Sequence, residues 1–176
     1  SSCDPLSQHW RLTHAYDLVR SPTSLRTTLE NWRNKRVLVI GGGLSSAHVA
    51  LMATHAQASV SLCCRHFFRV KQFDVKPSWV GRYQHALRAE FYGTSDWQQR
   101  LQILRDAREG GSFTPEIMRD LQQASRLGCL QMLECAVVEQ VQWREASPAH
   151  ALASPDIPGH WQVLFSGCSP EPVAFD

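Results

Sequence analysis

Arg36-Val-Leu-Val-Ile40, followed at once by Gly41-Gly-Gly43-Leu-Ser-Ser-Ala47, is the stretch on which the fold turns. The first part is an unbroken aliphatic, mostly β-branched run, which reads as a strand buried on both faces. The second part is a glycine turn leading into His48-Val-Ala-Leu-Met-Ala53, helical by composition. Ala58-Ser-Val-Ser-Leu-Cys63 then reads as a second strand. Strand, glycine turn, helix and strand within about thirty residues make one βαβ unit.

Working outward, residues 1–34 are mixed and polar, with Pro5 and Pro22, and read as an approach segment. Within them Ser24 to Arg33 predicts a short helix carrying Leu25, Leu29 and Trp32 on one side. After the second strand comes a long basic and aromatic connection, Arg65 to Phe91. Ser95 is the expected cap of a helix reaching Arg108, with Trp97, Leu101 and Leu104 on its inner face and Gly110-Gly111 ending it. Thr114-Pro115 opens a further helix with inner stripe Ile117, Met118, Leu121 and Ala124, and Gly128 stops it. Leu130 to Leu133, Ala136 to Trp143 and His160 to Phe165 read as strands, separated by a proline-bearing loop over Ser147 to Gly159. The expected class is α/β: a Rossmann-like three-layer parallel sheet with a small antiparallel β addition.

The chain has 176 residues, 43% of them apolar, with 18 Lys and Arg against 16 Asp and Glu. That suits one soluble globular domain and excludes a disordered polyelectrolyte. A net charge of +2 carries no whole-chain sign of a nucleic-acid partner. No apolar run approaches the ~18–20 residues of a membrane span. The opening SSCDPLSQHW lacks a basic start followed by an apolar stretch, so no secretory signal is expected and the reading is cytoplasmic. The first residue is not Met, which leaves room for a removed leader or a longer parent chain. The six cysteines, Cys3, Cys63, Cys64, Cys129, Cys135 and Cys168, form no CxxC and no zinc-ligand spacing. They fit a reducing compartment, with Cys63 and Cys64 as small buried hydrophobes.

Gly41-x-Gly43-x-x-Ser46 is the dinucleotide fingerprint with a small residue in the third glycine position. The first glycine lets the backbone leave the strand sharply, the second removes a side chain from the path of a diphosphate, and the third position lets the helix pack closely. The helix N-terminus offers N–H groups and a partial positive charge to that anion. Gly41, Gly42, Gly43, Leu44, Ser45 and Ser46 are therefore the expected cofactor-binding residues. An NAD site places a carboxylate ~20 residues further on, against the ribose 2′-hydroxyl. Between Asn31 and Phe73 there is no carboxylate, and Cys63-Cys64-Arg65-His66 stands at the expected place. Arg65 suits a 2′-phosphate, which points to NADPH rather than NADH; His66 reads either as its assistant there or as an exposed loop histidine. From Arg65 to Arg88 there are six basic residues (Arg65, Arg69, Lys71, Lys76, Arg82, Arg88) against Asp74. The others read mainly as a solvated basic surface.

With these parts in place, the chain resembles the NAD(P)H domain of flavoproteins that bind two dinucleotides. Phe73-Asp-Val-Lys-Pro-Ser-Trp-Val-Gly81, Asp96-Trp97, Ala107-Arg-Glu-Gly-Gly-Ser112 and Thr114-Pro115 are similar to members near the lysine and ornithine N-monooxygenase branch. The resemblance covers roughly Lys35 to Gly128. It implies an FAD-dependent, monooxygenase-like oxidoreductase in which NADPH passes hydride to flavin N5, this chain being the NADPH half. It also implies the division 1–34 as an approach from an upstream FAD domain, 35–146 as the NADPH-binding Rossmann-like domain, and 147–176 as the return to an FAD domain of the same parent chain. FAD would be bound mainly by segments not present in these residues, which hold only one glycine fingerprint. The tail Pro172-Val-Ala-Phe-Asp176 stops where the family would begin a last strand. Lack of a redox CxxC disfavours the disulfide-reductase branch.

His48 follows the turn but reads as a packed or surface histidine, and no HExxH or HxH metal spacing occurs. Ser45 and Ser46 do not form a GxSxG nucleophile elbow. Trp79 and Tyr83 are candidates for stacking on a base, against the commoner fate of packing. Gly110-Gly-Ser112 is a second candidate cofactor-facing loop, against the plainer reading of a connection between two helices. No catalytic residue is assigned. The alternative function is a non-catalytic NADP(H)-binding, sensing or interaction module, and a free-standing short-chain reductase is disfavoured because no YxxxK pair occurs.

Overall fold

The aliphatic run at the glycine turn does become a strand in the computed structural model, which describes residues 13–19, 22–73, 75–145, 159–167 and 173–175. Two short helices, α1 (Ala15–Val19) and α2 (Pro22–Trp32), precede β1 (Arg36–Ile40). Then follow α3 (Leu44–His55), β2 (Ser59–Cys63), a 3₁₀ turn at Pro77–Trp79, α4 (Gln84–Gly93), α5 (Trp97–Arg108) and α6 (Pro115–Arg126). The chain closes with β3 (Leu130–Leu133), β4 (Val137–Glu145), β5 (Gly159–Ser166) and β6 (Val173–Phe175). The strands form one parallel sheet in the order β1-β2-β3 and one antiparallel sheet in the order β4-β5-β6, an α/β fold.

Sheet order explains burial. In register Arg36 faces Ser59 and Ile40 faces Cys63, while Val60 faces Leu130 on the other side of β2. Central β2 is buried from Val60 to Cys63. β1 is not buried on both faces as its composition predicts: Val37 and Leu38 are only half-buried and Ile40 is 60% exposed. A both-faces-buried composition does not reveal that the strand lies at an edge.

The side chains of the parallel sheet alternate between two cores, as pleating requires. Val39, Val60 and Leu62 meet Ala47, Ala50 and Ala53 of α3, Leu121 of α6 and Phe113. Those alanines are fully buried at a spacing of three, and their small size lets the helix lie close on the sheet. On the opposite face Cys63, with Leu38 and Leu133, packs on Ala136, Val163, Phe165 and Phe175. That face is therefore covered by the antiparallel strands.

Several local expectations hold. In α6 the Thr114 hydroxyl accepts from Ile117 N–H at 3.4 Å, Pro115 takes the first turn, and Leu121 is wholly buried. Cys63 is buried, whereas Cys64 is only half-buried. Others are corrected. Asp96, not Ser95, caps α5, its carboxylate accepting from Gln98 N–H at 3.0 Å. The stripe Trp97, Leu101 and Leu104 faces solvent, Trp97 at 68% exposure, and Ala107 is the buried member of α5. The spacing created an apolar face, but the core was reached instead through the helix end. The connection Arg65 to Phe91 holds the 3₁₀ turn and most of α4, whose helical pattern is diluted by basic and aromatic residues. The tail pairs as β6 with β5, Phe175 opposite Trp161. Residues 1–12, 20, 21, 74, 146–158, 168–172 and 176, and with them Cys3, Asp74, Cys168 and nearly all of the loop expected over Ser147 to Gly159, lie outside the described residues.

Candidate functional site

Parallel strands bring their carboxyl ends to one edge, and in such sheets ligands bind there. β1 and β2 end at Ile40 and Cys63, and Gly41 N–H donates to the Cys63 carbonyl at 2.8 Å. The chain then turns through Gly41 at φ +147°, a conformation that favours glycine. Ser46 holds the turn from inside. Its Oγ accepts from Gly43 N–H at 3.2 Å and shares its proton between the carbonyls of Gly43 at 2.6 Å and Gly41 at 2.9 Å. The small third position thus braces the loop as well as permitting close packing. The N–H groups of Leu44 and Ser45, in the first turn of α3, have no intrahelical carbonyl to meet and carry the positive end of its dipole.

A second glycine segment leans on this turn. A Cβ built on Gly111 would meet Gly42 O and Gly43 Cα at 2.9 Å and Gly43 N at 3.0 Å. Only glycine allows that approach. Gly110-Gly111 is held in place from the side by the basic connection. Phe113 N–H donates to Arg69 O at 2.8 Å and Lys71 N–H to Phe113 O at 2.9 Å, a parallel bridge centred on Val70. Glu109 ends α5 in the left-handed conformation, at φ 54°. Its carboxylate takes Lys71 Nζ at 2.6 Å and Lys76 Nζ at 3.3 Å, and its carbonyl takes Arg69 Nη1 at 2.5 Å. Hydrogen bonds and charge from Lys71, then Lys76, hold the Glu109 carboxyl below the ordinary carboxylate range.

Beyond β2 the backbone is also pinned. Cys64 N–H donates to Leu133 O at 3.0 Å, Ala136 N–H to Cys64 O at 2.9 Å, and Cys135 N–H to His66 O at 3.3 Å. Phe68 N–H donates to Glu134 Oε1 at 2.9 Å. Arg65 is thus an exposed side chain on a fixed stretch of main chain.

Together these segments enclose a cleft of about 650 Å³, lined by Ile40 to Gly43, Cys63 to Phe67, Arg69, Gly110, Gly111 and Ala136 to Val138. Its lining contains two guanidinium groups and no carboxylate. Of the residues expected at a cofactor, Gly41, Gly42, Gly43, Arg65 and His66 are brought together on the cleft wall. Leu44 and Ser45 begin α3 behind the turn, and Ser46 is turned inward as its brace. His48 is an exposed residue of α3 outside the lining. Trp79 lies in the 3₁₀ turn and Tyr83 under the Arg82 guanidinium, 4.6 Å from its ring centre, neither on the cleft. Of the Gly110-Gly-Ser112 loop, Gly110 and Gly111 are part of the wall, while Ser112 is buried and not on it. Arg69 and Cys64 join it too. The only hint of Arg69 was its place in a basic run, which does not separate one cation from another.

An α/β fold with a glycine turn opening on a cationic cleft at its strand ends is what this chain shows. No family model matches it, and no curated protein does. Solved structures with the same fold include L-lysine 6-monooxygenase from Pseudomonas syringae, at TM-score 0.57 and 16% identity, covering 94% of this chain and 41% of that one. DfoA, the FAD-bound cadaverine monooxygenase of desferrioxamine biosynthesis from Erwinia amylovora, matches at TM-score 0.56 and 10% identity, over 91% of this chain and 35% of that one. The ornithine N-hydroxylase of Kutzneria sp. 744, solved with reduced FAD, NADP+ and L-ornithine, matches at 0.52 and 16%, over 80% and 34%. The chain therefore spans about a third to two-fifths of the length of these proteins, and at such identities the likeness is one of fold.

Proposed function

We propose that this chain is the NADPH-binding portion of an FAD-dependent, monooxygenase-like oxidoreductase, a Rossmann-like unit that presents the nicotinamide to flavin. The observation that carries the reading is the cleft itself. It is walled by side-chain-free glycine backbone, two arginines and no carboxylate, where the parallel strands end. That chemistry suits a ligand with several phosphate charges. Gly41 to Gly43 and the first N–H groups of α3 would hold the diphosphate, Ser46 would keep the turn in shape, and Arg65 with His66 would take the 2′-phosphate. When bound, NADPH supplies a hydride and the flavin accepts it, while the chain contributes orientation and charge. In this reading 35–146 is the cofactor-binding domain, and 1–34 and 147–176 are its connections to an FAD domain of the same parent chain.

The direct test is titration of the chain with NADPH and NADH, followed by the Arg65→Glu variant. NADPH should bind tighter than NADH, and Arg65→Glu should reverse the order, because a carboxylate repels the 2′-phosphate and accepts from a 2′-hydroxyl. Ser46→Trp, which fills the turn, should abolish binding of both. Equal affinities for the two cofactors, or no binding of either, would overturn the assignment.

A further inference from the structure

We infer that Arg69 is a second anion-recognising residue of the cleft, directed at the diphosphate, while Arg65 serves the 2′-phosphate; this rests on the cofactor reading just given. Both arginines line the cleft, but they are held differently. No hydrogen bond or ion pair holds the Arg65 side chain among the described residues. Arg69 has its backbone fixed by the bridge to Phe113 and one arm of its guanidinium tied to the Glu109 carbonyl at 2.5 Å.

The identity of that acceptor decides the case. Glu109 presents two kinds of oxygen to the basic connection. Its carboxylate goes to Lys71 and Lys76, and only its neutral carbonyl goes to Arg69. The two lysines share that one carboxylate; Arg69 is oriented through a neutral carbonyl and has no carboxylate bonded to it among the described residues. A guanidinium carries five N–H donors in a rigid fork, so one bond to a carbonyl leaves the rest for an anion. Its position is also specific. Arg69 Nη1 lies 3.7 Å from where a Cβ of Gly110 would stand, and the adjoining Gly111 rests on Gly42 and Gly43. Arg69 is thus tethered to the loop that touches the glycine turn, the diphosphate end of the cleft, whereas Arg65 extends directly from the end of β2.

The two arginines should therefore separate by cofactor. Arg69→Gln removes the charge and, two bonds shorter, also gives up the hydrogen bond to the Glu109 carbonyl. It should weaken NADPH and NADH alike, by about tenfold or more for loss of a charged hydrogen bond, with their affinity ratio unchanged. Arg65→Gln should weaken NADPH alone and collapse the ratio. A measurement on the unaltered chain covers the event that the Arg69 variant does not fold: modification by phenylglyoxal, read arginine by arginine by peptide mass. Saturating NADH should protect Arg69 and leave Arg65 reactive, while NADPH should protect both. Arg69→Gln binding both cofactors within twofold of wild type, or Arg69 remaining as reactive with NADH bound as without it, would overturn the inference and leave the cofactor reading standing. Binding of neither cofactor to the unaltered chain would remove both.

Discussion

Replacing Gly111 by alanine tests whether the loop after α5 packs on the glycine turn. The added methyl would lie 2.9 Å from Gly42 O and Gly43 Cα and 3.0 Å from Gly43 N. All three are backbone atoms, so no flexible side chain can swing aside; the loop or the turn must move. Gly111 has no left-handed φ to lose, so the destabilising part of the effect is steric, set against the same gain from reduced backbone freedom as any Gly→Ala change. Overpacking of this kind costs about 1–3 kcal/mol. For a chain of this length that is a fall in Tm of roughly 2–12 °C. Gly93→Ala is the matched control, since nothing lies within 4 Å of its added methyl and it sits at the end of α4. It should be neutral or gain up to about 1 kcal/mol from reduced backbone freedom. Urea unfolding followed by circular dichroism gives both values, and NADPH titration of the same samples shows whether the displaced turn still binds. If Gly111→Ala is as stable as Gly93→Ala, the loop does not rest on the turn and the cleft has a different wall.

Four further substitutions, one of them a control, probe the frame around the cleft. Lys71 and Lys76 depress the folded-state pKa of Glu109, so its ionised form stabilises the fold above the ordinary carboxylate pKa and that contribution fades as acid protonates it. Glu109→Gln should therefore be less stable than wild type at pH 7, with the gap closing below the carboxylate range; a gap that persists in acid points to packing instead. Leu121→Ala, at a wholly buried site of α6, should cost about 2–5 kcal/mol in urea unfolding, and a loss under 1 kcal/mol would place α6 off the sheet. Asp96→Ala should cost about 1 kcal/mol by loss of the α5 cap while Ser95→Ala leaves the melting curve in place; the reverse order would restore Ser95 as cap.

What was legible in the sequence was whatever local chemistry dictates. The βαβ unit, the Thr114-Pro115 start of α6 and its Leu121 stripe follow from chain-local rules of turn, cap and period, and the structure carries all of them. What escaped depends on neighbours. Ile40 looks like core by composition but stands at a sheet edge, and the Trp97, Leu101, Leu104 stripe looks like a buried face but meets solvent. At the cleft, the glycine turn and Arg65 were readable from motif and spacing. Arg69 was not, because its partner Glu109 lies forty residues further along the chain. A cation's surroundings are a tertiary fact.

Net charge describes this surface poorly. The chain carries only +2, and an anion approaching in physiological salt feels charges within a Debye length of about 8 Å. The cleft presents two guanidinium groups and no carboxylate on its own wall, while two acids that touch the basic connection meet other groups, Glu109 taking Lys71 and Lys76 and Glu134 taking Phe68 N–H. The left-handed turn at Glu109 determines which of its oxygens faces which base, since it aims the carbonyl and the side chain of one residue at different partners. A single backbone conformation at the end of α5 thereby shapes the cleft, through Gly111 on the glycine turn, and leaves Arg69 charged at its edge.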